Sequence, residues 1–500
     1  MNLTDFAPEL IHLICSFLDV QDVRIFRLVC KTLGAVATSH VLSELVVFRY
    51  YRDLEMLRHF ADHPDYSQHV RSLVYVCDVL NMLKGQPLSF KKFAYEKEQG
   101  DYIRWVKDPE NDKIMRAPPN PSLGGLRPPP PQNSEESSSE AYKRYSHAYA
   151  QQSHVLAEEL DVTLLRDIVP KFLNLKSITV TSVDYSYRGE ERKLPSDDLF
   201  VSAKQCLEPP GNHQTNALLL PLMGLKTIQL RSLKLEGLRL PFLEQLQDPS
   251  RVDEMIDLCR NLTTFEIHLD VGGDFGINPF EDDARIPMAE CRATVQKSGL
   301  RRLLGSMAHL EVLNVGFYPD RVNGNHPAAL DDIIPEGMCW KNLRQFTFGL
   351  IGATMQDMVD FIRRHGGTLT YFCLHDLRLI QSSWLVFLEE LHVLVETMSL
   401  NNMLISGTVY GQGEHGSEGE GGAPGGPFVG DRECWELGAS RSSGPARKIR
   451  DYILGDSGNH PLNPYSFEET LEDILGDTSP RALYEQLANI RESALAYIGD

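Results

Sequence analysis

The sequence holds no C-x-x-C pair among its nine cysteines, no run of 18 apolar residues and no excess of basic charge. Each absence closes a class of function. Without paired cysteines, neither a zinc knuckle nor a redox dithiol is expected. The scattered thiols read instead as reduced and partly buried, in a reducing compartment. Without a long apolar run no membrane span is expected. Asp5 and Glu9, with no basic n-region beside them, do not read as a secretory signal. A formal charge of -20 argues against a grip on phosphate backbones, which takes a basic stripe. The expected setting is the cytoplasm or nucleus, with neither nucleic acid nor membrane as partner.

Catalytic patterns are missing too. No G-x-S-x-G elbow, no G-x-x-x-x-G-K-[ST] phosphate loop and no H-E-x-x-H metal helix occurs. Adjacent carboxylates such as Glu389 and Glu390 stand about 100° apart on a helix and read as solvated charges. His415 lies in a glycine-rich run and reads as a loop residue. No catalytic, cofactor or metal site is expected, and the reading is of a protein that is not an enzyme.

What is present is organised. Five hundred residues exceed one ordinary core, so two or three packed units are expected. An apolar fraction of 42% with 24% charged residues is that of a globular chain. The segment PELIHLICSFL places Leu10, Leu13, Ile14, Phe17 and Leu18 at the spacing of one apolar helical stripe. Pro8 suits the first turn, where its missing N–H costs nothing. Asp19 is placed to cap a second helix, with Phe26, Val29, Cys30 and Leu33 on one face and Arg24, Arg27 and Lys31 beside it. Two such short helices cannot bury both stripes against each other, so oily surface is left for a partner or a following domain.

The order F-A-P-E-L, then I-x-x-F-L-D, then D-V, then F-R-L-V-C-K resembles the F-box family. The matching positions are Phe6, Pro8, Glu9, Leu10, Ile14, Phe17, Leu18, Asp22, Val23, Arg27, Leu28, Val29, Cys30 and Lys31. Ala7 stands where the family often has proline, with Pro8 one place later. The resemblance implies a helical module that docks the Skp-type adaptor of cullin-based ubiquitin ligases. It also implies adaptor contacts by Phe6, Pro8, Glu9, Leu10, Ile14, Phe17, Leu18, Val23, Leu28, Val29, Cys30 and Lys31.

Beyond this module one phrase recurs: apolar, two others, apolar, one other, apolar. It occurs at Leu42/Leu45/Val47, Val70/Leu73/Tyr75, Leu175/Ile178/Val180, Leu225/Ile228/Leu230, Leu262/Phe265/Ile267, Leu310/Leu313/Val315, Leu343/Phe346/Phe348, Leu369/Phe372/Leu374 and Val395/Met398/Leu400. The last three copies are 26 residues apart, as are Phe361 and Phe387 in the helix-like runs between them. That period lies in the range of leucine-rich repeats. The expected fold is α/β: an N-terminal helical F-box module, then an irregular leucine-rich-repeat-like solenoid with disordered insertions. An irregular α/β domain is the alternative.

The expected divisions are 1–40 for the F-box module and 41–106 for the first repeat-like strands and helices. Residues 107–140 are a disordered insertion of proline, serine and acid. Residues 141–410 form the repeat domain, 411–445 a glycine-rich flexible loop, and 446–500 capping helices. Ser466 with Glu469, and Ser479 before Pro480, mark helix starts in that tail. Residues between the apolar positions of the phrase point to the opposite strand face. Glu266, His268, Gln345, Tyr371, His375 and Asn401 are therefore the target-binding candidates. The function read from the sequence is a non-catalytic substrate receptor in an SCF-type ligase, holding a target protein of unknown identity. The alternative is a solenoid interaction scaffold outside any ligase.

Overall fold

The structure is a computed structural model. It describes residues 3, 6–18, 20–77, 79–80, 82–83, 86–87, 89–91, 138–181, 207–208, 229–270, 288–318, 326–396, 398, 400, 402–406, 408–412, 428–429, 432–436 and 444–455. The chain divides into two units, Met1–Asp270 and Val271–Asp500. That division falls inside the stretch 141–410 read above as one domain.

The first unit opens with three helices, α1 (Pro8–Phe17), α2 (Val20–Phe26) and α3 (Lys31–Val41). A mostly parallel α/β region follows. Its strands are β1 (Glu44–Phe48), β2 (Ser72–Val76), β3 (Ser177–Thr181), β4 (Ser232–Arg239) and β5 (Thr264–Asp270). They pair side by side in that order, all parallel. Helices α4 (Tyr51–Asp62), α5 (Ser138–Ala157), α6 (Leu160–Ile168) and α7 (Pro249–Cys259) lie in the connections.

The recurring phrase explains the register. Leu45, Leu73, Ile178, Leu233 and Phe265 stand abreast across the five strands, and all are buried. The positions between them, such as Ser72, Ser177 and Thr264, are half-buried. Leu225 and Ile228 of one expected copy lie outside the described residues, and the fourth strand uses Leu230, Leu233 and Leu235, five residues beyond the expected Leu225/Ile228/Leu230. Leucines recur so densely there that the pattern fits two registers. A bulge between Leu235 and Leu238 holds Gly237 at φ 69, a left-handed geometry that glycine adopts without a Cβ penalty.

A charged network lies inside this unit. Asp161 accepts from Arg49 Nε at 2.7 Å, from the Tyr75 hydroxyl at 2.8 Å and from the Val162 N–H at 2.9 Å. Gln152 donates to the Arg49 carbonyl at 3.2 Å and accepts from the Leu80 N–H at 2.6 Å. Arg49 and Asp161 are both buried. Burial opposes the Arg49 charge, but Tyr75 and Asp161 overcome it and hold the guanidinium above its ordinary pKa. Burial likewise raises Tyr75 well above its usual value, so its hydroxyl stays a donor. The pair ties the end of the first strand to a helix 112 residues away.

The second unit carries parallel strands β6 (Val312–Tyr318), β7 (Gln345–Gly349), β9 (Tyr371–His375) and β11 (Asn402–Ser406). A second sheet is built from β8 (Gly352–Thr354), β10 (Arg378–Ile380), β12 (Thr408–Gln412), β13 (Phe428–Val429) and β14 (Arg432–Glu436). Helices α8 (Met288–Lys297), α9 (Leu300–Gly305), α10 (Leu330–Ile333), α11 (Met355–His365), α12 (Trp384–Val395) and α13 (Gly444–Ile453) complete it.

The copies at 343–348 and 369–374 align residue for residue, Phe346 beside Phe372 and Phe348 beside Leu374. The Phe346 and Phe372 rings stack at 5.5 Å, and Phe361 meets Phe346 edge-on at 5.0 Å. Thr354 and Ser383 cap α11 and α12 through their hydroxyl oxygens. Each strand exit passes through a left-handed residue, Leu350 or Asp376. The expected third copy at Val395/Met398/Leu400 is corrected. Val395 ends α12, and the strand copy is Leu400/Met403/Ile405, with Met403 opposite Phe372. The last helical turn carries apolar residues at the same spacing, which drew the reading five residues early.

The glycine-rich loop is shorter than expected, because β12, β13 and β14 occupy parts of 411–445. Ser138–Glu140 begin α5 rather than ending the insertion. The helix starts read at Ser466 and Ser479, and the rest of the 107–140 insertion, lie outside the described residues. Within the described part, α13 packs on β11 and α12 through Ile449 and Ile453, and its Tyr452 stacks on His392 at 4.8 Å.

Asp161→Ala leaves the Arg49 charge buried without its carboxylate and should cost about 3–5 kcal/mol, while the double replacement Arg49→Met with Asp161→Leu recovers most of it. Chemical denaturation of both variants checks this. In the second unit His365 is neutral: Nε2 accepts from the Trp340 N–H at 3.1 Å, so Nδ1 donates to the Phe361 carbonyl at 2.7 Å. Burial lowers its pKa, and burial with Arg378 and Arg292 nearby pushes His326 down to about 4. Unfolded histidines protonate near 6.5 while these resist, so stability falls as pH drops from about 6.5 toward 4. The loss should reach about 1 kcal/mol at pH 5 after solvent screening. Urea unfolding followed by fluorescence of the buried Trp340 and Trp384 tests it, and an unchanged midpoint between pH 7 and 5 would contradict it.

Candidate functional site

The three N-terminal helices form a small bundle with a small interior. Its buried residues are Ile11 and Cys15 from α1, Val23 from α2, and Leu33 and Ala37 from α3. Phe6, Leu18, Phe26, Cys30, Val36 and Val41 pack against them while remaining partly buried. The inward face of α1 is Ile11/Cys15; of the expected stripe Leu10, Leu13, Ile14, Phe17 and Leu18, Leu18 packs against this core, Ile14 is half-buried and the other three are exposed. Both sets satisfy helical spacing, and packing selects the narrower one.

The second expected helix is corrected as well. It breaks after Phe26, where the Leu28 and Val29 N–H groups close turns onto Ile25 and Phe26 at 2.9 and 3.2 Å. Cys30 is extended, at φ -161 and ψ 167, and begins α3. This break turns the chain so that Leu33 and Ala37 reach Ile11 and Cys15. Gly34 permits the close approach, because a Cβ there would lie 3.0 Å from the Arg27 carbonyl oxygen. The expected cap at Asp19 lies outside the described residues. Across the bundle, His12 Nδ1 meets His40 Nε2 at 3.0 Å and links α1 to α3.

The excluded apolar residues make a surface. Phe17 is 81% exposed and Leu28 78%, with Leu10, Leu13, Ile25 and Val29 also exposed. Arg24, Arg27 and Lys31 are exposed beside them. Among the residues read from the sequence, Pro8, Glu9, Leu10, Phe17, Leu28, Val29 and Lys31 are exposed. Phe6, Ile14, Leu18 and Cys30 are half-buried, and Val23 is buried in the bundle core. Ile25 was missed. Its signal was present, since it stands three residues before Leu28, but the continuous-helix reading put the apolar face elsewhere.

The sheets present the second candidate surface, one on each unit. In the first unit Glu266 is half-buried and paired with Lys234 at 2.7 Å, and His268 is half-buried. In the second unit three rows run across β6, β7, β9 and β11, opposite the buried phenylalanines. They are Val312–Gln345–Tyr371–Asn402, Asn314–Thr347–Cys373–Leu404 and Gly316–Gly349–His375–Ser406. Gln345 is exposed, and Tyr371 and His375 are half-buried. Asn401 lies outside the described residues.

His375 is held from both sides. Its Nε2 lies 2.8 Å from Asp376, and its Nδ1 lies 3.0 Å from the Ser406 hydroxyl. A carboxylate only accepts, so Nε2 donates to Asp376; Nδ1 accepts from Ser406 in the neutral ring and donates to it in the protonated one. The serine is buried, which keeps it from serving as a surface nucleophile, so this line of three residues orients an imidazole. Among the described residues no group of three His, Cys, Asp or Glu could hold a metal ion. The seven described cysteines are free thiols, and burial pushes Cys291 up to about 12. No described helix is long and apolar enough to cross a membrane.

A compact three-helix module with an uncovered oily face is a protein-docking module by class. Residues 3–44 match the F-box domain family, and the chain carries an F-box domain. A search of curated proteins finds no match to the chain.

Exposure separates surface from core in this bundle. Phe17→Asp and Leu28→Asp should change stability by no more than about 0.5 kcal/mol. Ile11→Asp, which puts a carboxylate in the core, should unfold the bundle. Circular dichroism melts of the three full-length variants decide it.

Proposed function

We propose that this protein is a non-catalytic substrate receptor of an SCF-type cullin ubiquitin ligase. The F-box domain docks a Skp-type adaptor, and the open sheet faces hold a target protein. The observation that carries the reading is the exposure of Leu10, Phe17, Leu28 and Val29 on a bundle whose core is already complete without them. Such a surface costs free energy in water and gains it when a partner covers it.

In this reading Leu28 and Phe17 are anchors, and Pro8, Glu9, Leu10, Val29 and Lys31 complete the contact. Phe6, Ile14, Leu18 and Cys30 shape its edge. Val23 acts from beneath by holding α2 in place. Arg24, Arg27 and Lys31 form a basic rim on a chain of net charge -20, which suits an acidic partner surface.

The abreast phrase copies and the 26-residue offset between β7 and β9 support a degenerate leucine-rich-repeat-like solenoid as the target-holding part. Glu266, His268, Gln345, Tyr371, His375 and Asn401 are the proposed target-facing residues. Catalysis belongs to the associated enzymes. The receptor contributes proximity, by raising the effective concentration of target lysines near them.

The test is adaptor capture by the full chain. Leu28→Asp should weaken it at least about 30-fold, the size of an interface anchor of about 2 kcal/mol. Wild-type affinity in the folded variant would overturn the assignment.

A further inference from the structure

The recurring phrase leaves two residues between its first two apolar positions, and in the first unit these residues form rows. Paired hydrogen bonds fix each strand entry. The Arg71 carbonyl accepts from the Lys176 and Ser177 N–H groups at 2.8 and 3.0 Å, and the Lys176 carbonyl from those of Arg231 and Ser232 at 2.8 and 3.0 Å. Arg71, Lys176 and Arg231 therefore stand abreast at the entries of β2, β3 and β4, with Ser43 and Thr263 at the ends of the row. Ser72, Ser177, Ser232 and Thr264 form the next row, all half-buried. In the second unit the first of these positions carries Glu311, Arg344 and Thr370, so the charges there are mixed.

The first-unit row is an unbalanced charge. Arg71, Lys176 and Arg231 are all exposed, and none is in an ion pair among the described residues. Neighbouring strands lie about 4.8 Å apart, and like charges abreast at that spacing repel. Arg260, beyond them, is paired with Asp257 at 2.7 Å, and Glu44 is half-buried and accepts from the Ser72 hydroxyl at 3.4 Å. The three cations keep no such partner on a chain of net charge -20. Their field reaches the neighbouring imidazoles. His69 is lowered from its ordinary pKa by burial and then by Arg71, against Asp65, and His40 by burial, His12 and Arg71.

We infer that Arg71, Lys176 and Arg231, with the hydroxyl row beside them, hold an acidic segment of the target protein, an extended run of aspartates and glutamates laid across the strand entries. The inference rests on the receptor reading and names the class of target that the first unit holds. Three single charges one strand apart span about 10 Å, the length of about three extended residues. That spacing suits one carboxylate per residue, whereas the concentrated charge of a single phosphate takes converging donors. The serine and threonine hydroxyls donate to the same carboxylates. Leu173, 86% exposed, stands three residues before Lys176. Asn174 donates to the Gln68 carbonyl at 2.7 Å, which ties that loop to the one before β2 and leaves the leucine beside the row for an apolar neighbour of the run.

A phage-displayed library of random twelve-residue peptides, panned on the full chain, supplies the probe. The field of the whole chain would favour Lys and Arg, so enrichment of peptides rich in Asp and Glu marks the local row. By fluorescence polarisation these peptides should bind Lys176→Glu and Arg231→Glu about tenfold more weakly than wild type, the size of one reversed contact. Leu173→Asp should weaken them as well, and Lys176→Arg should bind as wild type does. Raising salt from about 50 to about 500 mM should weaken wild-type binding. No acidic enrichment, or wild-type affinity in Lys176→Glu and Arg231→Glu, overturns the inference and leaves the receptor reading standing. So does tighter binding, lost in the same variants, of a peptide in which one phosphoserine replaces the acidic run, or of a single-stranded oligonucleotide. Every variant should capture the adaptor as wild type does. Loss of that capture by Lys176→Glu or Arg231→Glu with an unchanged thermal melt gives the row to the adaptor and overturns the inference. Failure of the wild-type chain to capture the adaptor overturns the receptor reading, while the same peptides still judge the row.

Discussion

Parallel strands cannot be joined by tight turns, so every return must cross a face of the sheet. In this chain the consequence is a one-sided core. Leu45, Leu73, Ile178, Leu233 and Phe265 are buried in the first unit, and Phe346, Phe348, Phe372 and Leu374 in the second. The alternate positions are mostly half-buried or exposed, except at the strand ends, where Phe48, Val76, Thr181 and Ser406 are buried too. Along the body of each strand, a residue's place in the three-position phrase therefore decides whether it serves stability or faces outward. The buried Arg49–Asp161–Tyr75 network is the exception. It spends desolvation to hold a strand end against a helix far away in sequence, and its geometry satisfies the carboxylate three times over.

The N-terminal bundle obeys a different constraint, that of size. About forty residues cannot enclose all the apolar side chains they carry. Five residues fill the interior, and the break at Cys30 is what brings Leu33 and Ala37 into it. Once that core is complete, Leu10, Phe17, Leu28 and Val29 have nowhere to go within the bundle. The surplus follows from the packing and is not a defect of it.

Legibility in the sequence tracked the locality of each interaction. The F-box pattern and seven of nine phrase copies were readable because they depend on spacing within a few residues. The copies at 225 and 395 slipped by five because apolar residues continued at compatible spacing, and only strand pairing resolves such a register. Which α1 face turns inward was not legible for a similar reason: Ile11/Cys15 and Leu10/Phe17 are both periodic, and the choice between them is tertiary. The Arg49–Asp161 pair spans 112 residues and left no local trace. The short strands at Gly352–Thr354 and Arg378–Ile380 are too brief to show a period.

On the proposed reading, the two surfaces differ in the kind of incompleteness they present. The bundle offers an excess of apolar area around a finished core, so association there draws on burial, which salt hardly screens. The sheet face of the second unit offers the reverse, exposed or half-buried polar side chains such as Gln345, Tyr371 and His375. Association there draws on hydrogen bonding and charge, which are directional and screened. An apolar surplus suits a constant partner, because it rewards any well-shaped oily surface that fits. A sparse polar face suits selection among many segments, because a partner that mismatches it leaves desolvated groups unpaired. A receptor needs both properties, and this chain places them on separate elements, where either can change without repacking the other.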